Sequence, residues 1–189
     1  MSAQAEGDVR LTWEEFLRVQ QAYDGPERIC WDDGRIVMAM TGGTERHDLV
    51  TMYLGVQLGQ RLQHGTCRVF VHNRQVKTAH RSYYPDLLIR CGRAAHELYE
   101  DDARIIVVEV LSPSNGPADL TKMLFDYQTL PSIEKILFID TRRRVITIHE
   151  CTAEGWTERQ TRGESIQLGP TFLDLADMWV QVDEQSTFD

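Results

Sequence analysis

The run Arg104-Ile105-Ile106-Val107-Val108-Glu109-Val110-Leu111 is the strongest strand signal in the chain. Branched apolar residues follow one another, and only Glu109 interrupts them. Such a run is buried on both faces, which puts it in the interior of a covered sheet. Downstream, Ser112 to Pro117 reads as a loop, and a helix is predicted from about Ala118 to Leu130, stopped by Pro131. Strand-like segments follow at Lys135 to Asp140, Val145 to Glu150, Trp156 to Gln160 and Ser165 to Leu168, with a short helix around Phe172 to Met178.

Upstream, Thr12-Trp13-Glu14-Glu15 has capping-box spacing and predicts a helix to about Gln21, ended by Asp24-Gly25-Pro26. Arg28 to Trp31 and Arg35 to Met40 flank Asp32-Asp33-Gly34 as a hairpin. Thr41-Gly42-Gly43-Thr44 then reads as a turn and N-cap. A helix is expected from Glu45 to Gln63, with His47, Val50, Leu54, Leu58 and Leu62 on its inward stripe. Strands are expected at Cys67 to His72, Gln75 to Thr78 and Tyr84 to Arg90, and a polar connection over 91–103. The order predicts one α/β domain over residues 10–180, a central mixed sheet flanked by helices, with a loose arm at 1–9 and a tail at 181–189.

The 189 residues suit a single domain. Lys plus Arg is 20 against 29 for Asp plus Glu, a net charge of −9, which excludes a general electrostatic binder of nucleic acid or anionic membrane. No apolar run approaches the ~20 residues of a membrane span, and the first residues lack the apolar core of a signal peptide. A cytoplasmic protein without membrane contact is expected. Cys30, Cys67, Cys91 and Cys151 form no C-x-x-C pair, so they are expected to be partly buried free thiols rather than a zinc site or a disulfide framework.

Four residues invite chemistry. Glu109 interrupts the apolar strand, where a carboxylate loses water and must be paired, protonated or metal-bound. Asp86 follows Pro85, which marks a strand start, and alternation puts it on the face of Leu88, opposite Leu87 and Ile89. Two acids at the rim of a buried sheet suit a divalent cation with oxygen ligands. Lys122 lies on the helix after the Glu109 strand, and His47 lies in the first turn of the long helix. Each also has a plain structural reading: a paired glutamate, a turn aspartate, a solvated lysine, a satisfied core histidine.

Tyr84-Pro85-Asp86 and Val108-Glu109-Val110-Leu111-Ser112-Pro113-Ser114 together resemble the Uma-two family of restriction-endonuclease-like proteins, within the PD-(D/E)xK nuclease superfamily. The likeness extends to Leu11 through Leu17, to His47, and to Asp119, Tyr127, Leu130-Pro131-Ser132 and Leu137 through Asp140. It implies a restriction-endonuclease-like core and a metal-dependent endonuclease acting on DNA. Asp86 and Glu109 would ligate Mg²⁺ or Mn²⁺, with the Val110 carbonyl as a third ligand. A metal-activated water would attack the phosphodiester in line, Lys122 would help to place it, and His47 would support the site.

Two positions depart from the pattern. The superfamily places lysine two residues after the glutamate, where this chain has Leu111. The family supplies it four residues before the tyrosine, where this chain has Met123. Lys122 is one step earlier, about 100° around the helix. The stripe Leu120, Met123, Leu124, Tyr127 and Leu130 should face the sheet, leaving Lys122 on the flank with Asp119 and Asp126. This departure motivates an alternative: a catalytically degenerate member of the fold that binds nucleic acid or protein.

Between Asp48 and Asp86 there is no acidic residue, whereas Arg61, Arg68, Arg74, Lys77 and Arg81 all fall there. They are candidate phosphate contacts, as is the turn Arg142-Arg143-Arg144, or else a solvated surface. A homodimer is expected, because two copies present two sites to two strands. No phosphate-binding loop, nucleophile elbow or H-E-x-x-H zinc motif is present.

Overall fold

The computed structural model describes residues 10–39, 43–93, 95–97, 99–100, 103–113 and 115–186. The expected arm at 1–9, Thr41 and Gly42 of the turn, Ser114 of the loop and residues 187–189 of the tail lie outside the described residues. In chain order the elements are α1 (Trp13–Ala22), β1 (Ile29–Asp32), β2 (Arg35–Met38), α2 (Glu45–Leu62), β3 (Cys67–Val71), β4 (Gln75–Lys77), β5 (Ser82–Tyr83), β6 (Leu87–Cys91) and β7 (Tyr99–Glu100). They continue with β8 (Arg104–Leu111), α3 (Pro117–Gln128), β9 (Ile133–Asp140), β10 (Val145–Thr152), β11 (Gly155–Thr161), β12 (Ile166–Leu168), β13 (Thr171–Leu173) and α4 (Leu175–Gln185).

The local signals act as their chemistry dictates. Glu15 N–H donates to Thr12 Oγ1 and Thr12 N–H to Glu15 Oε2, at 3.3 and 2.8 Å, closing the capping box of α1. The β1–β2 hairpin turns on Asp33 and Gly34 at φ 49° and 92°, and two left-handed residues match the twist of paired strands. Thr44 accepts the His47 N–H and starts α2.

The main sheet has the order β11-β10-β9-β8-β6-β3. Only β8 and β9 run parallel, and α3 makes the crossover that a parallel pair requires. The sheet is therefore mixed, with β8 inside it. Strand alternation splits β8 between two cores. Ile106, Val108 and Val110 meet α2 and α4, while Ile105 and Val107 meet α3. On α2, Val50, Leu54 and Leu58 are fully buried, each contributing about 1.5–3 kcal/mol of burial before chain entropy is subtracted. On α3, Tyr127 is fully buried and Leu120, Met123, Leu124 and Leu130 pack beside it.

Four expectations are corrected. The strand expected from Tyr84 starts at Leu87. Ser82–Tyr83 instead joins a separate sheet of order β5-β4-β7, and Pro85, without an N–H, stands between the two pairings. The polar connection 91–103 contains β7, which pairs with β4. Residues 171–173 form a strand, and the last helix runs on through Gln185, because Leu175, Met178, Trp179 and Val182 share a buried face. Cys67 and Cys91 are a disulfide rather than free thiols, because antiparallel β3 and β6 set them directly opposite each other. Cys30 and Cys151 are free. Among the described residues, no helix is long and apolar enough to cross a membrane.

Candidate active site

The antiparallel registers of β3–β6 and β6–β8 pair Val71 with Leu87 and Leu87 with Val108. Extended by one residue, they align His72, Asp86 and Glu109 in a single row at one end of the sheet. The row is tied by hydrogen bonds. His72 N–H donates to the Asp86 carbonyl at 2.9 Å. Val110 N–H donates to Asp86 Oδ2 at 2.7 Å.

Glu109 falls on the α3 face of β8, so it meets Tyr127, whose hydroxyl donates to Glu109 Oε1 at 2.7 Å. Its side chain is buried. Burial first, and the nearby Asp86 charge second, hold the Glu109 carboxyl well above the usual carboxylate range. His47, from the first turn of α2, brings Nε2 to 3.2 Å from Asp86 Oδ1, while its Nδ1 lies 3.0 Å from Asp48 Oδ1. The Asp86 hydrogen bond raises the His47 pKa to about 9, against the opposing effect of burial. His72 Nδ1 approaches the same Asp86 Oδ1 at 3.3 Å, with its ring stacked on His47 at 6.0 Å between centroids. His72 holds φ 50°, a left-handed conformation that costs a non-glycine residue energy and is found at functional sites.

A cleft of about 760 Å³ opens over this row, between α3 and the β1–β2 hairpin. Lys122 lines it, with Nζ 3.5 Å from Asp32 Oδ2 on the hairpin. Asp126, expected beside Lys122 on the helix flank, is buried instead, and accepts from Arg81 at 2.9 Å and from the Tyr83 hydroxyl. Leu111 and Met123, at the two positions where lysine was expected, both pack into the apolar cluster under α3.

The five basic residues read as one cluster are dispersed by the fold. Arg81 alone of the five lines the cleft, tied to Asp32 and Asp126. Arg74 joins Arg90 around the buried Glu100. Lys77 lies over the Trp13 ring, Arg61 over Phe172, and Arg68 bonds the carbonyls of Gly65 and Cys67. Arg142 and Arg143 are exposed in the turn after β9, their N–H groups capped by Asp140 Oδ1.

Sequence reasoning missed His72, and missed Asp32 and Arg81 as partners at the cleft wall. The one available signal for His72 was its position at the end of the strand expected over Cys67 to His72, which in the structure stops at Val71. Its register against Asp86 is invisible, because two other strands intervene between β3 and β6.

Several of the residues that carried the sequence resemblance line the cleft: His47, Tyr84, Asp86, Glu109, Ser112 and Asp119. The chain matches the family described as "Uma2: Putative restriction endonuclease" over residues 13–182. No curated protein matches it. Among solved structures it is similar to one titled "Crystal structure of a putative nuclease belonging to DUF820 from Anabaena variabilis ATCC 29413". The TM-score is 0.71 at 12% identity, covering 91% of this chain and 99% of that one. At that identity the likeness speaks for the fold, which is restriction-endonuclease-like. With the family match spanning most of its length, the chain belongs to the Uma2 family of restriction-endonuclease-like proteins.

Proposed function

We propose that this protein is a metal-dependent endonuclease that hydrolyses phosphodiester bonds in DNA. The observation that carries the reading is the cross-strand pair Asp86–Glu109 beneath the cleft. The donor set fits a divalent cation. Two carboxylates stand close enough for the charge of Asp86 to disfavour ionisation of Glu109, a conflict that a cation between them relieves. Among the described residues, no group of three or more His, Cys, Asp and Glu side chains forms a ready metal cage. Two carboxylates form an oxygen donor pair of the kind that Mg²⁺ or Mn²⁺ takes, the rest of the shell coming from other oxygens.

Asp86 and Glu109 would hold the ion, with the Val110 carbonyl as a further oxygen donor. When bound, such an ion lowers the pKa of water and neutralises charge at a phosphate. The protein's own part is orientation. Val110 N–H and the Tyr127 hydroxyl fix the two carboxylates, and His47 and His72 brace Asp86. Lys122 would reach a phosphate oxygen from the cleft wall, and the exposed Arg142-Arg143 turn would meet flanking phosphates. Two copies would address the two strands of a duplex.

The test is plasmid nicking and linearisation in Mg²⁺ or Mn²⁺, beside Asp86→Ala. Metal-dependent cleavage lost in the variant supports the reading. No cleavage across metals and DNA forms favours a second one, a degenerate member of the fold that binds without cutting. Leu111 and Met123, packed where a lysine would serve, favour that alternative.

A further inference from the structure

The chain has only three lysines. Lys77 sits over the Trp13 ring, and Lys135 bonds the Gln167 carbonyl and Glu150. Lys122 is the one that lines the cleft, and among the described residues the carboxylate within ion-pair distance of it is Asp32, on the hairpin across from α3.

Asp32 is itself held. Its Oδ1 forms an ion pair with Arg81, 2.6 Å from Nε, and an isolated β-bridge joins the same two residues. Arg81 reaches Asp126 with its Nη1, and the Tyr83 hydroxyl donates to that carboxylate as well. Asp126 lies four residues after Lys122 on α3, so both project from one side of the helix. The result is a closed chain of alternating charge, Lys122–Asp32–Arg81–Asp126, that begins and ends on α3. Exposure falls along it, from 44% at the Lys122 side chain to 4% at Asp126. The inner end is an anchored ion pair, and the outer end is a cation open to the cleft.

We propose that Asp32 is a positioning residue: it holds the Lys122 ammonium at the cleft wall, and so replaces the placement lost with apolar residues at 111 and 123. The hairpin, rather than the strand after Glu109, then decides where the cation stands. The catalytic use of Lys122 rests on the nuclease reading above; the tether does not.

The test uses the full chain as wild type, Asp32→Asn, Asp32→Glu, Lys122→Met and the double variant Asp32→Asn/Lys122→Met. Limited acylation read by mass spectrometry reports each lysine separately, because paired ammonium groups react slowly. In Asp32→Asn the acylation rate of Lys122 should rise by about threefold, in keeping with a part-exposed pair. Lys77 and Lys135 should stay unchanged, and Lys135, buried in the fold, reports any unfolding. In cleavage assays Asp32→Asn should lower kcat by about tenfold with KM within about twofold, Asp32→Glu should recover part of it, and Asp32→Asn should add nothing in the Lys122→Met background. Unchanged Lys122 acylation overturns the tether whether or not DNA is cut. Additive losses in the double variant overturn the claim that Asp32 acts through Lys122. A wild type that cuts no DNA overturns the nuclease reading and the catalytic use of Lys122, while acylation still decides the tether.

Discussion

Asp86 and Glu109 stand side by side in one cross-strand row, and the N–H of Val110, the residue after Glu109, donates to the Asp86 carboxylate at 2.7 Å. The antiparallel ladder therefore places two carboxyl groups side by side, and burial with the Asp86 charge pushes the pKa of Glu109 up. Burying Glu109 beside the Asp86 charge costs stability, a cost that a cation bound between the two would relieve.

Glu109→Gln should remove that cost and the proposed function together. A neutral amide has no charge to bury and none to set against Asp86, so Tm without metal should rise by about 3 °C or more. Cleavage should fall on the order of 10³-fold if the carboxylate holds the ion. Thermal unfolding with and without Mn²⁺ checks both, since the variant should also lose its metal-induced shift. A Tm that falls in the metal-free variant would contradict the strained-pair account.

Tyr127→Phe keeps the buried ring and removes only the donor to Glu109 Oε1. Loss of a buried hydrogen bond to a carboxylate costs about 1–3 kcal/mol. Loss of a partner that orients a ligand costs about 10-fold in metal affinity or more. Titration calorimetry with Mn²⁺ measures the affinity, and unchanged binding would remove Tyr127 from the site.

Arg74→Ala should act on the fold. Glu100 is fully buried between Arg74 and Arg90, at 2.8 and 2.7 Å. Taking one partner away leaves a poorly compensated buried charge, a loss of about 3 kcal/mol, or a Tm drop of roughly 6–12 °C. A weaker affinity for DNA at unchanged Tm would instead assign Arg74 to phosphate binding.

His149 supplies a pH dependence away from the site. It is buried against the Phe138 ring on β9, and burial lowers its pKa more than Glu158, 3.7 Å away, can raise it. The unfolded imidazole titrates near ~6.5 and the folded one below that. Between those values the unfolded chain binds more protons, so this contribution is complete above about pH 6.5 and is lost as pH falls through it. His149→Gln should flatten the Tm profile between about pH 7 and pH 5. An identical slope in both proteins would rule out His149 as its source.

The elements most legible from the residues were those whose signal is short-range. The apolar run of β8, the three-and-four spacing of α2 and the capping box of α1 each lie within one segment, and each forms where periodicity places it. Proline before Asp86 and a lone carboxylate in an apolar strand were enough to pick out the acid pair. The site residues that escaped notice depend on register between segments far apart in the chain. His72 meets Asp86 only because β3 pairs with β6 around the intervening β4 and β5.

Charge shows the same division. Along the chain, Arg61 through Arg81 read as one basic interval because no acid falls among them. In three dimensions, Glu100 takes Arg74, and Asp32 with Asp126 takes Arg81, all three acids arriving from other elements. Cys67 and Cys91, ordinary in sequence and 24 residues apart, are joined for the same reason. Periodicity and capping are written into runs of a few residues, so composition and spacing carry the strands, the helices and the two acids. Which strand lies beside which, and which carboxylate finds which cation, are set by contacts between distant segments. The partnership of Lys122 with Asp32 exists only once the hairpin and the crossover helix have packed on opposite sides of one cleft.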